Sequence, residues 1–222
     1  MPVTIDIVRH AESRHNVEHN GDALRDPSLT EAGTRQAVAL GATFPYTTQV
    51  RRLISSPMRR AIQTGLLAFG SVVEEKHLEV VLVPELQEAS ARPSDTGSPP
   101  LELREEFANV LNLDFLSHDW WHKDASSSYG SRDQGKVAEK ARQARLYIRS
   151  VARTLNDGDH IVVVAHSGFI KHLIQGAPKF GNAEFRSCKF VDLLGHDEQA
   201  LLVEAKDDQE VLAKQLGVFK IK

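Results

Sequence analysis

Arg9 and His10 close an apolar run near the start of the chain, in IVRHAESRHN (residues 7–16). Three kinds of chemistry suit such a cluster: a metal site, a nucleic-acid patch, or an anion pocket with a reactive imidazole. Three more groups of the same character follow. SSPMRR (55–60) supplies Arg59 and Arg60, PELQE (84–88) supplies Glu85 and Glu88, and AHSG (165–168) supplies His166 and Ser167. Forked guanidinium donors from separate parts of the chain, Arg9 with Arg60 or Arg59, match the oxygens of a phosphoryl group. A neutral imidazole is a covalent nucleophile, and arginine neighbours favour the neutral form because they penalise a second positive charge. His10 and His166 thus offer one ring to attack and one, if protonated, to offset charge. Phosphoryl transfer asks mostly for positioning and positive charge. A leaving oxygen also needs a proton, which Glu88 could donate as general acid, with Glu85 as its rival.

Composition weighs against the other two readings. The 222 residues are 41% hydrophobic and 26% charged, with a net charge of −3. That balance lacks the basic face that wholesale nucleic-acid binding needs. His10, His15 and His19 form one conceivable metal set, and His118 with His122 a second, but no Cys or carboxylate cluster supports zinc spacing. No metal or other cofactor is expected. His15 and His19 read as surface residues near the rim of the pocket, and Lys171 and His172 as solvated. The single cysteine, Cys188, reads as a small buried apolar residue and leaves no internal disulfide, which suits a reducing compartment. MPVTIDIVRH lacks the basic start and long apolar core of a signal peptide, and no apolar run approaches the ~20 residues needed to span a bilayer. A soluble, cytoplasmic protein with a small phosphorylated partner, and neither nucleic acid nor membrane, is the expectation.

The elements that must position these groups are legible as alternating runs. VTIDIV (3–8), RRLIS (51–55), EVVLVP (79–84), HIVVVA (160–165), FVDLL (190–194) and ALLVEA (200–205) read as strands, several without polar alternation, as in strands buried on both faces. Helical spacing links Ala37, Leu40, Gly41 and Phe44 behind Thr30 as N-cap. Ser56-Pro57 reads as N-cap and first helical residue of a helix carrying Ile62, Leu66 and Phe69. The longest helix is expected from about Lys136 to Asn156, with Val137, Ala141, Ala144, Ile148, Val151 and Leu155 as its stripe. Strands alternating with helices predict a three-layer α/β/α sandwich with a mainly parallel central sheet. Ligands collect beyond the carboxyl ends of such strands, and all four clusters fall there. Residues 89–135, rich in Ser, Pro, Gly and Asp, read as a loop-rich insertion over that edge within a single domain spanning 1–222. Trp120 and Trp121 lie in it, as anchors or as the wall of a substrate pocket.

The pieces VRHAESRHN (8–16), DPSLTEAGTRQA (26–37), SSPMRRAIQT (55–64), LQE (86–88) and VVVAHSGFIKHL (163–173) resemble, in order, the motifs of the histidine phosphatase superfamily, the group that contains the cofactor-dependent phosphoglycerate mutases and many small phosphatases. RPSDTGS (92–98) further resembles a fungal branch of phosphoglycerate-mutase-like proteins. The resemblance implies a phosphoglycerate mutase-like fold and a metal-independent phosphatase that works through a phosphohistidine on His10. It implies that Arg9, Arg60 and His166 hold the phosphoryl group, that Asn16 adds a hydrogen bond to it, and that Glu88 is the acid and then the base. Arg60 is preferred to Arg59 because it directly precedes the Ala-x-x-Thr of the motif. Ser167, opening a helix after His166, also suits an anion. Two departures stand out. Ala11 takes the place of the family's frequent glycine after the histidine, which adds a methyl where backbone and ligand come close. Glu88 is followed by Ala-Ser-Ala-Arg-Pro, without the mutase segment, which favours a phosphatase over a mutase. A binding protein that kept the pocket without turnover is the rival from another class.

Overall fold

The computed structural model describes residues 2–123, 127, 129–130, 133–174 and 177–205. In chain order its strands and helices are β1 (Thr4–Arg9), α1 (Arg14–Val17), α2 (Glu31–Thr43), β2 (Val50–Ser55), α3 (Arg59–Glu75), β3 (Val80–Leu82), α4 (Pro100–Phe107), β4 (Leu111–Asn112), α5 (Gln134–Ala152), β5 (His160–Ala165), α6 (Ser167–Leu173), β6 (Phe185–Phe190) and β7 (Leu202–Glu204). The strands form one sheet in the order β4-β3-β2-β5-β1-β6-β7. β1 to β5 pair in parallel, and β6 and β7 add an antiparallel edge.

The centre of this sheet follows from its residues. All six residues of β5 are buried, because helices cover both sheet faces. Side chains alternate across a strand, so Ile161 and Val163 pack with α5 and α6, while Val162 and Val164 pack with α2 and α3. Each fully buried Val or Ile contributes about 1.5–3 kcal/mol of transfer free energy. Thr30 caps α2 by accepting from Gly33 N at 2.9 Å, and Ala37, Leu40 and Phe44 are buried below it. Among the described residues no helix is long and apolar enough to cross a membrane.

Three local expectations are corrected. Ser56-Pro57 does not start α3, whose N-cap is Met58. Ser56 N donates to Val164 O at 2.9 Å, which keeps this residue in line with the sheet. FVDLL is strand only at Phe190. Val191 is 64% and Leu194 79% exposed, and the strand β6 lies earlier, at Phe185–Phe190, where charged and apolar residues are mixed. The long helix is displaced toward its N-terminus. It starts behind the cap Asp133, whose carboxylate accepts from Lys136 N at 2.9 Å, and ends at Ala152. The stretch after Glu88 also supplies regular structure. α4 packs Leu103 into the core, β4 extends the sheet, and Trp120 is fully buried.

Candidate active site

Parallel register brings the two histidines together. Arg9, the last residue of β1, stands opposite Ala165, the last of β5. The next residue, His10, donates its backbone N–H to Ala165 O at 3.0 Å. The His10 and His166 rings are therefore 5.1 Å apart, centroid to centroid. On the other side of β5, Ser55 pairs with Val164, which sets Ser56 and the start of α3 at the same edge.

Arg60, in the first turn of α3, is 1% exposed. Its Nη1 donates to Ser94 O at 2.6 Å and its Nη2 to Asp95 Oδ1 at 2.8 Å, while Nη2 also faces His166 Nδ1 at 3.1 Å. Asp95 is held in turn by Ser90, whose hydroxyl donates to Oδ2 at 2.6 Å. Arg9 donates from Nη1 to Phe180 O at 2.8 Å. In both arginines Nε is buried without a partner. Arg59 turns away, donating to Ser98 and Glu106.

The hydrogen bonds fix the tautomers. His10 Nδ1 lies 2.7 Å from Ala11 O. A carbonyl only accepts, so Nδ1 carries the hydrogen and Nε2 keeps its lone pair. Burial, and then the charge of Arg60, hold the His10 pKa well below the usual 6.5. His166 Nδ1 faces a guanidinium, which only donates. Nε2 of His166 therefore carries the hydrogen and donates to Ser56 Oγ at 2.8 Å. Burial followed by Arg60 pushes its pKa well below 6.5 as well, so the second ring is neutral. The expectation of a protonated partner imidazole is overturned, because the arginines already supply the positive charge. Ala11 fits without left-handed backbone. Its N–H donates to Thr64 Oγ1 at 3.0 Å, and Thr64 donates to Arg60 O at 2.6 Å.

Glu88 arrives on the turn after β3. Its Oε1 accepts from its neighbour Ala89 N at 2.8 Å and its Oε2 from Gly168 N at 2.9 Å. A Cβ at position 168 would lie 2.5 Å from Glu88 Oε1, so only glycine admits the carboxylate here. Lys140, buried on α5, donates from Nζ to Gln87 O at 2.7 Å and reaches Glu88 O at 3.5 Å. Burial lowers the Lys140 pKa to about 8.

These groups line one cleft of about 560 Å³, whose wall includes Arg9, His10, His15, Asn16, Arg60, Glu88, Ser94, Asp95 and Ser167. His166 is wholly buried and touches it only through its neighbours. Glu85 is not part of the wall and accepts from the Tyr129 hydroxyl at 3.4 Å. Trp120 packs in the core, and Trp121 lies beside Arg25, whose guanidinium carbon is 4.7 Å from its ring centre; neither lines the cleft. Lys171 and His172, expected in solvent, stand at the mouth of the cleft. His15 is a further surprise, half-buried in the wall with its ring centroid 5.7 Å from that of His10. Its position one residue before Asn16 was the only signal in the sequence. Ser94 and Asp95 lie in the RPSDTGS stretch, but nothing in the sequence pointed to their contact with Arg60, and Lys140 carried no signal, because these partners are distant in the chain. Among the described residues no group of three or more His, Cys, Asp or Glu is arranged to hold a metal ion.

Comparison with known proteins bears on the fold and the family. A probable phosphatase of Schizosaccharomyces pombe is 33% identical over 106 residues, which cover 47% of this chain and 49% of that protein. The 5''-phosphoribostamycin phosphatase of Niallia circulans is 35% identical over 89 residues, covering 36% of this chain and 41% of that one. The alignments thus span less than half the length of these curated relatives. Among solved structures, a mycobacterial glucosyl-3-phosphoglycerate phosphatase superposes with a TM-score of 0.55 at 21% identity, covering 85% of this chain and 93% of that one. The ecdysone phosphate phosphatase of Bombyx mori gives 0.59 at 11% identity, covering 84% and 88%. Both share the fold. The family model of the histidine phosphatase superfamily (branch 1) matches residues 5–203, and with His10, Arg9, Arg60, Glu88 and His166 gathered at one sheet edge, the chain belongs to that superfamily.

Proposed function

We propose that the protein is a phosphatase that hydrolyses a small phosphomonoester through a phosphohistidine on His10, without a metal. The observation that carries this reading is the bond from His10 Nδ1–H to Ala11 O at 2.7 Å. It leaves Nε2 as the lone-pair nitrogen of a ring that burial and Arg60 keep neutral. In the first step the Nε2 lone pair forms a bond to phosphorus, the phosphorus–oxygen ester bond breaks, and Glu88 gives its proton to the leaving oxygen. In the second, Glu88 takes a proton from water, the water oxygen bonds to phosphorus, and the phosphorus–nitrogen bond breaks to restore His10. The guanidinium groups of Arg9 and Arg60, with the N-terminus of α6 at Ser167, supply the positive field for the phosphoryl oxygens. His166 holds Arg60 in place from behind by accepting at Nδ1.

The relatives named as phosphatases support the same reading. The test is hydrolysis of p-nitrophenyl phosphate between pH 5 and 8 with EDTA present. Turnover is expected, together with an acid-labile phosphoryl-protein that is lost in His10→Ala. That variant should retain under about 1% of activity, since nucleophile and intermediate vanish together. Loss of turnover on adding EDTA would overturn metal independence. Residual activity above a few per cent in His10→Ala would overturn the mechanism. Absence of hydrolysis in the unaltered protein would favour a binding protein instead.

A further inference from the structure

Among the described residues three carboxylates stand in the wall of the cleft, those of Asp22, Glu88 and Asp95. Glu88 serves as the acid. Asp22 lies at the exposed rim, where Arg92 Nη1 donates to its Oδ2 at 2.7 Å. Asp95 is left without a task, yet it is the carboxylate in direct contact with Arg60. Arg60 Nη2 donates to its Oδ1 at 2.8 Å, and the Ser90 hydroxyl donates to its Oδ2 at 2.6 Å. The Asp95 side chain keeps 9% exposure, in the same wall as Arg9 and His10.

A fixed negative charge here opposes the binding of any anion. The stretch that carries it is pinned along its length, so the carboxylate does not swing away. Arg60 Nη1 donates to Ser94 O at 2.6 Å, Arg25 Nη2 to Gly97 O at 3.0 Å, and the Ser98 hydroxyl to the buried Asp26 at 2.8 Å. The other groups near Asp95 do not cancel its charge within the cleft. Lys123 Nζ donates to Tyr129 O at 3.2 Å and Lys140 Nζ to Gln87 O at 2.7 Å, and neither lines the cleft. Burial and the charge of Arg60 hold the His10, His15 and His166 pKa values below 6.5, that of His15 at about 4. All three rings are therefore neutral at pH 7. The phosphoryl end of the cleft has two guanidinium charges, and Asp95 already answers one of them.

The donor and acceptor inventory says which anion tolerates this arrangement. An ionised carboxylate only accepts hydrogen bonds. A phosphoryl dianion also only accepts, so it is repelled. A phosphoryl monoanion keeps one P–O–H, which donates. Phosphomonoesters keep that hydrogen below about pH 6.

We propose that Asp95 is a specificity-determining residue that selects the protonated, singly charged phosphoryl group, accepting a hydrogen bond from its P–O–H and repelling the dianion. The proposal rests on the phosphatase reading for the class of ligand, and it adds the charge state in which that ligand is taken.

The test is calorimetric titration of the unaltered protein, Asp95→Asn and Glu88→Gln with inorganic phosphate and with sulfate, at pH 5.5 and 7.5. Sulfate has the shape of phosphate but carries no proton in this range, so the ratio of the two affinities cancels titrations of the protein itself. The unaltered protein should bind phosphate about 10- to 100-fold tighter than sulfate at pH 5.5, the usual worth of a hydrogen bond to a charged group. The ratio should shrink at pH 7.5, where phosphate loses its second proton. Asparagine keeps an oxygen for Arg60 and puts an NH₂ donor in place of the other oxygen. Asp95→Asn should therefore tighten sulfate about tenfold and bring the ratio within about threefold at both pH values. Thermal melting reports whether each variant is folded. The unaltered protein and Glu88→Gln decide the matter if Asp95→Asn is not. Sulfate bound within twofold of phosphate at pH 5.5, or neither anion bound, would overturn the proposal. So would loss of the selectivity in Glu88→Gln, which would assign it to Glu88. Equal weakening of both anions in Asp95→Asn would make Asp95 a support for Arg60 alone. Binding needs no turnover: selectivity without hydrolysis of p-nitrophenyl phosphate would sink the phosphatase reading and leave this one standing, and hydrolysis without selectivity would do the reverse.

Discussion

Glu88 shows how much of the chemistry depends on a single placement. Both of its oxygens accept backbone N–H groups, from Ala89 and Gly168, and each oxygen keeps a second lone pair for a proton. The acid is held, not free to swing. Glu88→Gln keeps the shape and removes the transferable proton. It should slow hydrolysis of alkyl phosphates by about 100-fold or more but that of p-nitrophenyl phosphate far less, because an activated phenolate leaves without help. Rates compared across a series of leaving groups check this, and equal losses along the series would remove Glu88 from the role of acid. Arg60 is the second residue of this kind. Its guanidinium reaches Ser94, Asp95 and His166 at once, a fork that a lysine ammonium does not reproduce.

At the level of elements, the helices are as important as the strands that carry the site. α5 reads from its periodicity as a packing helix, and Val137, Ala141, Ala144 and Ile148 are indeed buried. It also buries Lys140 beneath the turn that carries Glu88. Lys140→Met should leave the carbonyls of Gln87 and Glu88 short of a donor and destabilise the protein by about 1–3 kcal/mol. Its effect on turnover should follow that of Glu88→Gln, about tenfold for alkyl phosphates and less for p-nitrophenyl phosphate. A melting curve and the same leaving-group series test the two parts separately. A stability loss with no leaving-group dependence would make Lys140 a packing residue alone. Sequence periodicity could not disclose this cation, because its acceptors are backbone carbonyls on another element. β6 was hidden for a related reason. FRSCKF alternates weakly, and its charged residues Arg186 and Lys189 look like loop until Glu184 and Glu204 are seen beside Arg186.

For the whole molecule, the buried imidazoles tie stability to pH. His10 and His166 have pKa values well below 6.5 in the fold, and unfolding returns them to it. Below pH 6.5 the unfolded chain therefore binds protons that the folded chain refuses, and stability falls as pH falls. Each ring contributes a slope approaching about 1.4 kcal/mol per pH unit in that window. Asp26, whose carboxyl is raised by burial, works in the other direction as the pH nears the carboxylate range, so the comparison belongs between pH 7.5 and 5.5. The melting temperature should drop across that interval. A flat or rising profile would mean that the two rings are not neutral in the fold.

The sequence by itself determined the α/β class, the parallel centre and the charged clusters that meet at the strand ends, while the choice of Arg60 over Arg59 and of Glu88 over Glu85 within them came from the family resemblance. The reason is physical: buried parallel strands must be apolar throughout, so the charged residues that end them stand out, and the turn after each strand opens at the same edge. What only the tertiary structure decided is how those residues share their hydrogen bonds. Sequence spacing cannot tell which nitrogen of an imidazole carries the proton, since the partner that fixes it comes from elsewhere: Ala11 for His10 and Arg60 for His166. Nor could it place Ser94 and Asp95 against Arg60, more than thirty residues away. His15 passed from the rim into the wall of the cleft for a related reason, since its backbone, in the four-residue α1, is packed against Gly21, six residues on.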